Sequence, residues 1–171
     1  MLDLFEGVRA FVFDMDGVLT DGTLWIHGDG QWVRRMHIKD GYALQLAVKR
    51  GYLVCVISGS DAPPVTERLT MLGVEEIHMQ VRDKRAALED ILARRDISAE
   101  QVLYMGDDIP DLAVMKFSGL SACPHDAATD VLTIADYISP VNGGEGCVRD
   151  VIERVLRLHG VWNDGDSLQS L

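Results

Sequence analysis

Cysteine is scarce in this sequence, and long apolar runs are missing. Cys55, Cys123 and Cys147 are odd in number, lie far apart and form no CxxC pair, so neither a disulfide framework nor a zinc site is predicted. No apolar run approaches the roughly 18 residues that a membrane span needs, and the chain begins with acidic residues where a secretion signal would be basic. We therefore expect a cytoplasmic protein of a reducing compartment, with no membrane partner.

Basic residues are also few. There are 16 Lys and Arg against 27 Asp and Glu, which gives a formal net charge of -11. This excess of negative charge disfavours attraction to nucleic acids and to anionic membrane surfaces. The hydrophobic fraction of 47% and the charged fraction of 25% are those of a globular chain. We expect one domain over residues 1–162, followed by a polar C-terminal tail over residues 163–171.

Short apolar runs alternate with stretches of helical spacing. Strands are predicted at 8–13, 52–57, 76–79 and 102–105, with weaker candidates at 119–122 and 137–138, and helices at 41–50, 64–72, 84–95, 110–117 and 148–159. The alternation predicts an α/β fold, a doubly wound, Rossmann-like parallel sheet whose ligands bind beyond the carboxyl ends of the strands.

One segment departs from this alternation. In residues 23–35, the Gly28-Asp29-Gly30 turn lies between two alternating apolar runs and predicts a β-hairpin. Because the hairpin comes directly after the first strand, we expect it to lie over the ligand-binding crevice as a flap.

Carboxylates follow two of the predicted strands. Asp14 and Asp16 end the first strand, and Asp107, Asp108 and Asp111 follow the strand at 102–105. Like charges so close together raise each other's pKa unless a cation lies between them. Hard oxygen ligands in this number are typical of a Mg²⁺ site. Either cluster alone could instead be a set of surface carboxylates that cap turns.

A calcium loop of the EF-hand type does not fit the first cluster. Such a loop requires an oxygen ligand at its fifth position and glycine at its sixth. Counting from Asp14, the fifth position is Val18, and the glycine, Gly17, stands at the fourth.

Two further features could bind a phosphate. Ser58, Gly59 and Ser60 follow the second long strand and offer a hydroxyl and turn amides of the kind that hold phosphoryl oxygens. Lys84 begins a predicted helix, where a cation is mildly unfavourable against the helix dipole and therefore suggests a partner anion. Taken singly, the turn could be an ordinary Ser-Gly turn and the lysine an ordinary solvated one.

The chain resembles the haloacid dehalogenase superfamily of phosphotransferases. The resemblance covers most of the chain and rests on four motifs in the family's order: Asp14-x-Asp16-Gly17-x-x-Thr20, Ser58, Lys84 and Gly106-Asp107-Asp108-x-x-Asp111. The receiver domains of signalling proteins have similar ingredients in a different order. Their lysine follows the phosphorylated aspartate, whereas Lys84 precedes the second acidic cluster here.

The resemblance implies an aspartyl-phosphate mechanism and one Mg²⁺ ion. Asp14 would attack phosphorus, and Asp16 would protonate the leaving alcohol and later take a proton from water. The metal would be held by the Asp14 carboxylate, the main-chain carbonyl of Asp16 and Asp107. Asp108 and Asp111 would orient these ligands, and Ser58, Gly59 and Lys84 would bind the phosphoryl oxygens.

The spacing between the motifs leaves no room for a cap domain. Ser58 follows Asp16 by 42 positions, and Lys84 follows Ser58 by 26. An open pocket must accept a macromolecule or be closed by another subunit. Because the net charge is negative, the end of a nucleic acid is disfavoured as such a macromolecular substrate.

Further segments are Leu19-Thr20-Asp21-Gly22, His37-Ile38-Lys39-Asp40-Gly41, Arg68 and Gly143-Gly144-Glu145-Gly146-x-x-Arg149-Asp150. On these residues the chain resembles the tetrameric sugar phosphatases typified by 3-deoxy-D-manno-octulosonate 8-phosphate phosphatase, which matches the second option. This resemblance implies a homotetramer that acts on a small anionic sugar phosphate, with Trp25 and Trp32 of the hairpin as interface anchors. The substrate-binding residues that it implies are Thr20, His37, Lys39, Asp40, Arg68 and Arg149. By position alone, His37 and Lys39 could instead be solvent-facing on a strand-like stretch, and Arg68 could be an exposed helix arginine.

Two departures leave the substrate open. Ser60 stands where these phosphatases usually carry arginine, and Lys39 stands where arginine is common. A nine-carbon keto-sugar acid phosphate, a nucleotide-sugar-pathway phosphate and a broad range of sugar phosphates therefore remain alternatives. A different class is a catalytically silent partner domain of a sugar-activating enzyme.

Overall fold

Six parallel strands form the main sheet of the protein. The computed structural model describes residues 3–162, so the predicted tail at 163–171 lies outside the described residues. The strands are β1 Ala10–Phe13, β4 Leu53–Ile57, β5 Glu76–His78, β6 Val102–Met105, β7 Leu120–Cys123 and β8 Tyr137–Ile138. Their order in the sheet is β5-β4-β1-β6-β7-β8, and the change of direction beside β1 confirms the doubly wound α/β prediction.

Strand β1 lies in the middle of the sheet, and both of its faces are buried. Phe11 and Phe13 pack into one hydrophobic cluster, whereas Ala10 and Val12 pack into the cluster on the opposite face. All four side chains are fully buried, which explains why the strand is a continuous apolar run rather than an alternating one. Burial of a phenylalanine side chain contributes about 2 kcal/mol of hydrophobic stabilisation.

Helices cover both faces of the sheet. They are α1 Asp3–Glu6, α2 Ile38–Lys49, α3 Pro63–Met71, α4 Lys84–Arg95, α5 Leu112–Met115, α6 Thr129–Leu132 and α7 Cys147–Leu158. Helices α1, α2, α3 and α7 contribute to the cluster around Phe13, and α4, α5 and α6 contribute to the cluster around Val12. Within residues 3–162, none of the helices has the length and apolar content to cross a membrane.

The predicted hairpin forms a separate two-stranded sheet. Strands β2 (Trp25–Ile26) and β3 (Trp32–Val33) pair antiparallel, and their four side chains are exposed. This segment is the flap that the sequence predicts. The described residues contain no cap domain.

Two local predictions were wrong, and two short helices were not predicted. Helix α2 begins at Ile38, not at 41, so Lys39 lies in its first turn and not on a strand-like stretch. The segment predicted as a helix at 110–117 is a 3₁₀ turn, Ile109–Asp111, followed by the four-residue α5, because Asp108 and Asp111 cap the turn reciprocally. Helices α1 and α6 have only four residues each, too few to show a helical period.

Candidate active site

Parallel pairing brings the predicted site residues to one edge of the sheet. Phe13 pairs with Val56 of β4 and with Met105 of β6, so the three strands end almost level. Asp14 follows β1, Ser58 follows β4 and Asp107 comes two residues after β6. The Asp14 amide donates to the Met105 carbonyl at 2.9 Å, which extends the ladder into the site.

The turn after β1 orients the first two carboxylates. The Met15 amide donates to Asp14 Oδ1 at 2.7 Å, and the Thr20 amide closes the turn on the Met15 carbonyl at 3.0 Å. Gly17 has a φ of 88°, in the left-handed region that favours glycine. A Cβ atom on Gly17 would lie 2.0 Å from Asp107 Oδ2, so only glycine lets the two strand ends approach so closely.

A glycine loop supports this turn from behind. A Cβ on Gly143 would lie 1.9 Å from the Gly17 carbonyl oxygen, and the Gly144 amide donates to the Val18 carbonyl at 2.9 Å. The Cys147 thiol donates to the same carbonyl at 3.3 Å. The residues that join β8 to α7 therefore fix the backbone that carries Asp16.

Asp111 is a fully buried acceptor for three elements of the site. Its Oδ1 accepts from Lys84 Nζ and from the Tyr104 hydroxyl, both at 2.7 Å, and its Oδ2 accepts from the Asp107 amide at 3.2 Å. Because both oxygens are engaged, Asp111 is suited to orienting its neighbours rather than to binding a ligand. Asp108, also predicted to orient the site, is exposed and caps the 3₁₀ turn through the Ile109 amide at 2.8 Å.

Lys84 connects the two acidic clusters. Its Nζ lies 2.8 Å from Asp14 Oδ1 and 2.7 Å from Asp111 Oδ1. Burial lowers the pKa of Lys84, but these two carboxylates outweigh it and raise the pKa above its ordinary value. The lysine is therefore a fixed cation beside the carboxylate that is predicted to be the nucleophile.

The Ser58 turn is joined to the segment that leads into α4. The Val81 amide donates to the Ser58 carbonyl at 2.9 Å, and the Ser58 hydroxyl accepts from the Ser60 amide at 3.1 Å. Ser58 is buried, whereas Gly59 is exposed and makes only an ordinary contact with Val81. Two backbone segments that could face a phosphate are thus held together at this edge of the sheet.

Three carboxylates converge at this edge of the sheet, and two of them, Asp14 and Asp107, could bind a divalent cation. Asp14, Asp107 and Asp111 each place an oxygen within 4.8 Å of the others. Burial raises the pKa of Asp14 to about 6 and that of Asp107 to about 8, with a further rise from neighbouring carboxylates. Asp107 Oδ1 is buried without a hydrogen-bond partner among the described residues. A cation at this position would complete the coordination that the protein leaves open.

Asp16 has a partner that the sequence did not single out. Arg34 donates from Nε to Asp16 Oδ1 at 2.7 Å and from Nη2 to Asp16 Oδ2 at 3.1 Å. Thr20, fully buried, donates its hydroxyl to Asp16 Oδ1 at 3.2 Å. The only sequence signal for Arg34 is its place at the end of the hairpin, and the adjacent Arg35 shares it.

The other predicted substrate-binding residues lie in two places. Arg68, half-buried on α3, borders the groove below the hairpin, and Lys39 is exposed on α2. Asp40 Oδ1 instead accepts from the Arg149 amide at 2.7 Å, and the Arg149 side chain pairs with Glu153 at 2.9 Å. His37 stands at the N-cap position of α2 but makes no capping hydrogen bond through its side chain, and its Nδ1 is buried without a partner among the described residues. Substrate contact by these residues stays a prediction.

A groove below the hairpin lies on the same side of the sheet as the carboxylates. It has a volume of about 790 Å³ and is bordered by Trp32, Arg34, Asp61 and Arg68. A second cavity of about 630 Å³ lies at the opposite, amino-terminal end of the strands, away from the site. In doubly wound α/β folds, ligands bind beyond the carboxyl ends of the strands, so a substrate is expected to bind in this groove.

Asp40 gives the protein a pH-dependent stability. Burial raises its pKa to about 6, although the Arg149 amide lowers it. The folded state thus holds this proton more tightly than the unfolded state, and Asp40 disfavours folding once the pH rises through about 6. Between about pH 5 and about pH 7.5, we expect the parent protein to lose about 1 kcal/mol of unfolding free energy relative to Asp40→Asn. Urea titrations of both proteins at both pH values measure this change. A difference between the two proteins that is the same at both pH values would contradict the assignment.

The fold and the site define the class of the protein. The family model of the haloacid dehalogenase-like hydrolases matches residues 69–152, which include Lys84, Asp107 and Asp111. The 3-deoxy-D-manno-octulosonate 8-phosphate phosphatase of Escherichia coli K12 is 34% identical over 155 residues, which cover 91% of this chain and 82% of that protein.

Solved structures agree with the sequence comparison. The 3-deoxy-D-manno-octulosonate 8-phosphate phosphatase of Yersinia pestis superposes with a TM-score of 0.94 at 29% identity, over 98% of this chain and 90% of that chain. The enzyme from Moraxella catarrhalis, in complex with a magnesium ion, a phosphate ion and KDO, has a TM-score of 0.88 at 28% identity, with coverage of 92% and 90%. The chain belongs to the 3-deoxy-D-manno-octulosonate 8-phosphate phosphatase family of the haloacid dehalogenase-like hydrolases.

Proposed function

We propose that the protein is a Mg²⁺-dependent phosphatase that hydrolyses 3-deoxy-D-manno-octulosonate 8-phosphate. The observation that carries the proposal is the convergence of Asp14, Asp107 and Lys84, with a buried Asp107 oxygen that has no partner among the described residues. A relative with 28% identity was solved with magnesium, phosphate and KDO together. Both observations favour phosphate-ester chemistry at the end of β1.

The side chains of Asp14 and Asp107 and the main-chain carbonyl of Asp16 are the groups that would hold Mg²⁺. The bound ion would offset the negative charges of the carboxylates and the phosphate, so that one anion can approach another. Asp111 would hold Asp107 and Lys84 in place through the hydrogen bonds that it accepts.

Asp14 would form the covalent intermediate. Lys84 and the Ser58–Gly59 turn bind the phosphoryl oxygens while the Asp14 carboxylate attacks phosphorus. As the new phosphorus–oxygen bond forms, the bond to the sugar oxygen breaks, and Asp16 donates a proton to that oxygen. In the second half of the reaction, Asp16 takes a proton from water, which attacks the aspartyl phosphate and releases inorganic phosphate and the free Asp14 carboxylate.

A substrate panel tests the proposed specificity. We expect 3-deoxy-D-manno-octulosonate 8-phosphate to give a kcat/KM at least about tenfold above other sugar phosphates in Mg²⁺, and EDTA to abolish turnover. Nine-carbon keto-sugar acid phosphates and neutral sugar phosphates complete the panel. Equal activity on all substrates would favour a broad-specificity phosphatase, and no turnover of any of them would favour a silent partner domain.

We also propose that the enzyme is a homotetramer that works in the cytoplasm. The hairpin exposes apolar side chains on both of its faces: Trp25 is 65%, Ile26 71% and Trp32 58% exposed. Exposed apolar patches of this kind are typical of protein–protein interfaces. The three buried cysteines are free thiols, as expected in a reducing compartment. Sedimentation equilibrium tests the assembly, and a stable monomer would contradict subunit closure of the site.

A further inference from the structure

Asp16 makes a two-point ion pair with Arg34. Both of its carboxylate oxygens accept from Arg34, at 2.7 Å and 3.1 Å, and Oδ1 also accepts from Thr20. The Arg34 side chain is only 4% exposed. A two-point pair of a guanidinium and a carboxylate is stronger and geometrically more specific than an exposed ion pair.

This arrangement conflicts with the proposed work of Asp16. To exchange a proton with the leaving sugar oxygen, the carboxyl group must turn one oxygen toward that atom at hydrogen-bond distance. In the structure, the guanidinium bonds to both oxygens and so fixes the orientation of the carboxyl group. Arg34 must therefore move before this group can turn toward the leaving oxygen.

An anionic group of the substrate is the natural competitor for the guanidinium. Arg34 borders the groove below the hairpin together with Arg68, so a molecule in the groove can reach it. Across the groove, the Ser58 turn offers Ser60 and Asp61, neither of which is a cation. Among the residues that border the groove, Arg34 and Arg68 are the cations. A planar guanidinium exchanges one carboxylate for another with little loss of hydrogen bonding.

We propose that Arg34 is a specificity-determining residue that binds the carboxylate of the sugar-acid substrate and, in doing so, frees Asp16 for catalysis. The inference rests on the proposed function, because it requires that the substrate be a phosphate ester with a separate carboxylate. A substrate without that carboxylate leaves Arg34 on Asp16 and reacts more slowly. Discrimination thus depends on the release of Asp16 and not only on binding.

The neighbouring Arg35 provides a matched control. It has the same side chain on the same hairpin, but it pairs with Asp21 at 2.9 Å and with Glu145 at 3.5 Å. Its side chain is 60% exposed. Substitution of Arg35 and substitution of Arg34 each remove one positive charge. Only the substitution of Arg34 removes the ion pair with Asp16.

The test compares two substrates in the Mg²⁺-loaded enzyme. Steady-state kinetics are measured with 3-deoxy-D-manno-octulosonate 8-phosphate and with p-nitrophenyl phosphate, which has no carboxylate. For Arg34→Gln, we expect the ratio of the two kcat/KM values to fall by at least about tenfold, and Arg34→Lys to recover part of it. For Arg35→Gln, we expect the ratio of the two kcat/KM values to be the same as in the parent protein.

An unchanged ratio in Arg34→Gln would overturn the proposal, whether both activities fall equally or neither falls. An equal loss would assign Arg34 to the phosphate or to Asp16 itself. If the parent protein hydrolyses p-nitrophenyl phosphate but not the sugar-acid phosphate, the proposed substrate is wrong, and the fault does not lie with Arg34. These outcomes separate the failure of the inference from the failure of the proposed function.

A binding measurement provides a readout that needs no turnover. Free 3-deoxy-D-manno-octulosonate has the carboxylate but no phosphate, and calorimetry measures its affinity for the parent protein and both variants. We expect Arg34→Gln to weaken this affinity by about tenfold or more and Arg35→Gln to leave it unaffected. Equal affinity of the parent and Arg34→Gln would show that the carboxylate binds elsewhere. The melting temperature of each variant checks that the fold is intact.

Discussion

Replacement of Asp14 by asparagine is expected to lower turnover at least about a thousandfold, because the amide oxygen cannot form the aspartyl phosphate. The fold should survive the change. Asparagine Oδ1 can still accept from the Met15 amide and from Lys84 Nζ, which donate to Asp14 Oδ1 at 2.7 Å and 2.8 Å. The substitution also removes a buried carboxyl group whose pKa is raised by burial to about 6. Turnover in Mg²⁺ measures the loss of the nucleophile, and the melting temperature in EDTA measures the effect on the fold.

Asp130 provides the control for this substitution. It is exposed in the first turn of α6, so Asp130→Asn removes one carboxylate without altering the metal cluster. We expect Asp130→Asn to have the same activity as the parent protein. An Asp14→Asn protein that retains the turnover of the parent would show that another group attacks phosphorus.

Replacement of Gly17 by alanine should cause the second large effect. Alanine would have to adopt a φ of 88° and would place its Cβ 2.0 Å from Asp107 Oδ2. The left-handed backbone costs about 1–2 kcal/mol, and the clash must displace the carboxylate that is proposed to bind Mg²⁺. We expect kcat/KM to fall by about a hundredfold or more, since displacement of a ligand by about 1 Å is enough for such a loss.

Two observations separate a damaged site from a damaged fold. The Gly17→Ala protein should require more Mg²⁺ for half-maximal activity, whereas an unfolded fraction would lower activity equally at every Mg²⁺ concentration. Gly7→Ala is the matched control, because Gly7 has no neighbouring atom within 4 Å of the position that a Cβ would take. A Gly17→Ala protein with unchanged activity and Mg²⁺ requirement would contradict the packing of Gly17 against Asp107.

The strand ends were predictable because apolar runs and acidic residues follow each other directly. The run before Asp14 and the run before Gly106 are buried on both faces of the sheet, and parallel pairing then brings their carboxyl ends to one edge. The meeting of Asp14 and Asp107 follows from topology alone. It did not require knowledge of any side-chain conformation.

The partner of Asp16 was not predictable in the same way. Arg34 and Arg35 are adjacent, and the twist of a short hairpin decides which of them turns inward. The contact of Asp40 with the first turn of α7 was not predictable either, because α2 starts three residues earlier than the apolar spacing indicates. Substrate contact by Asp40 stays a prediction. Both cases depend on packing between segments far apart in the chain, which local patterns do not encode.

Calorimetric titration of the metal-free protein with Mg²⁺ tests the central claim most directly. The convergence of Asp14 and Asp107 predicts one binding site per chain and a loss of affinity of about tenfold or more in Asp107→Asn. Because burial and neighbouring carboxylates raise the pKa of Asp107 to about 8, binding at about pH 7 should also release about one proton, and the measured heat should depend on the buffer. Equal Mg²⁺ affinity of the parent protein and Asp107→Asn would contradict the account.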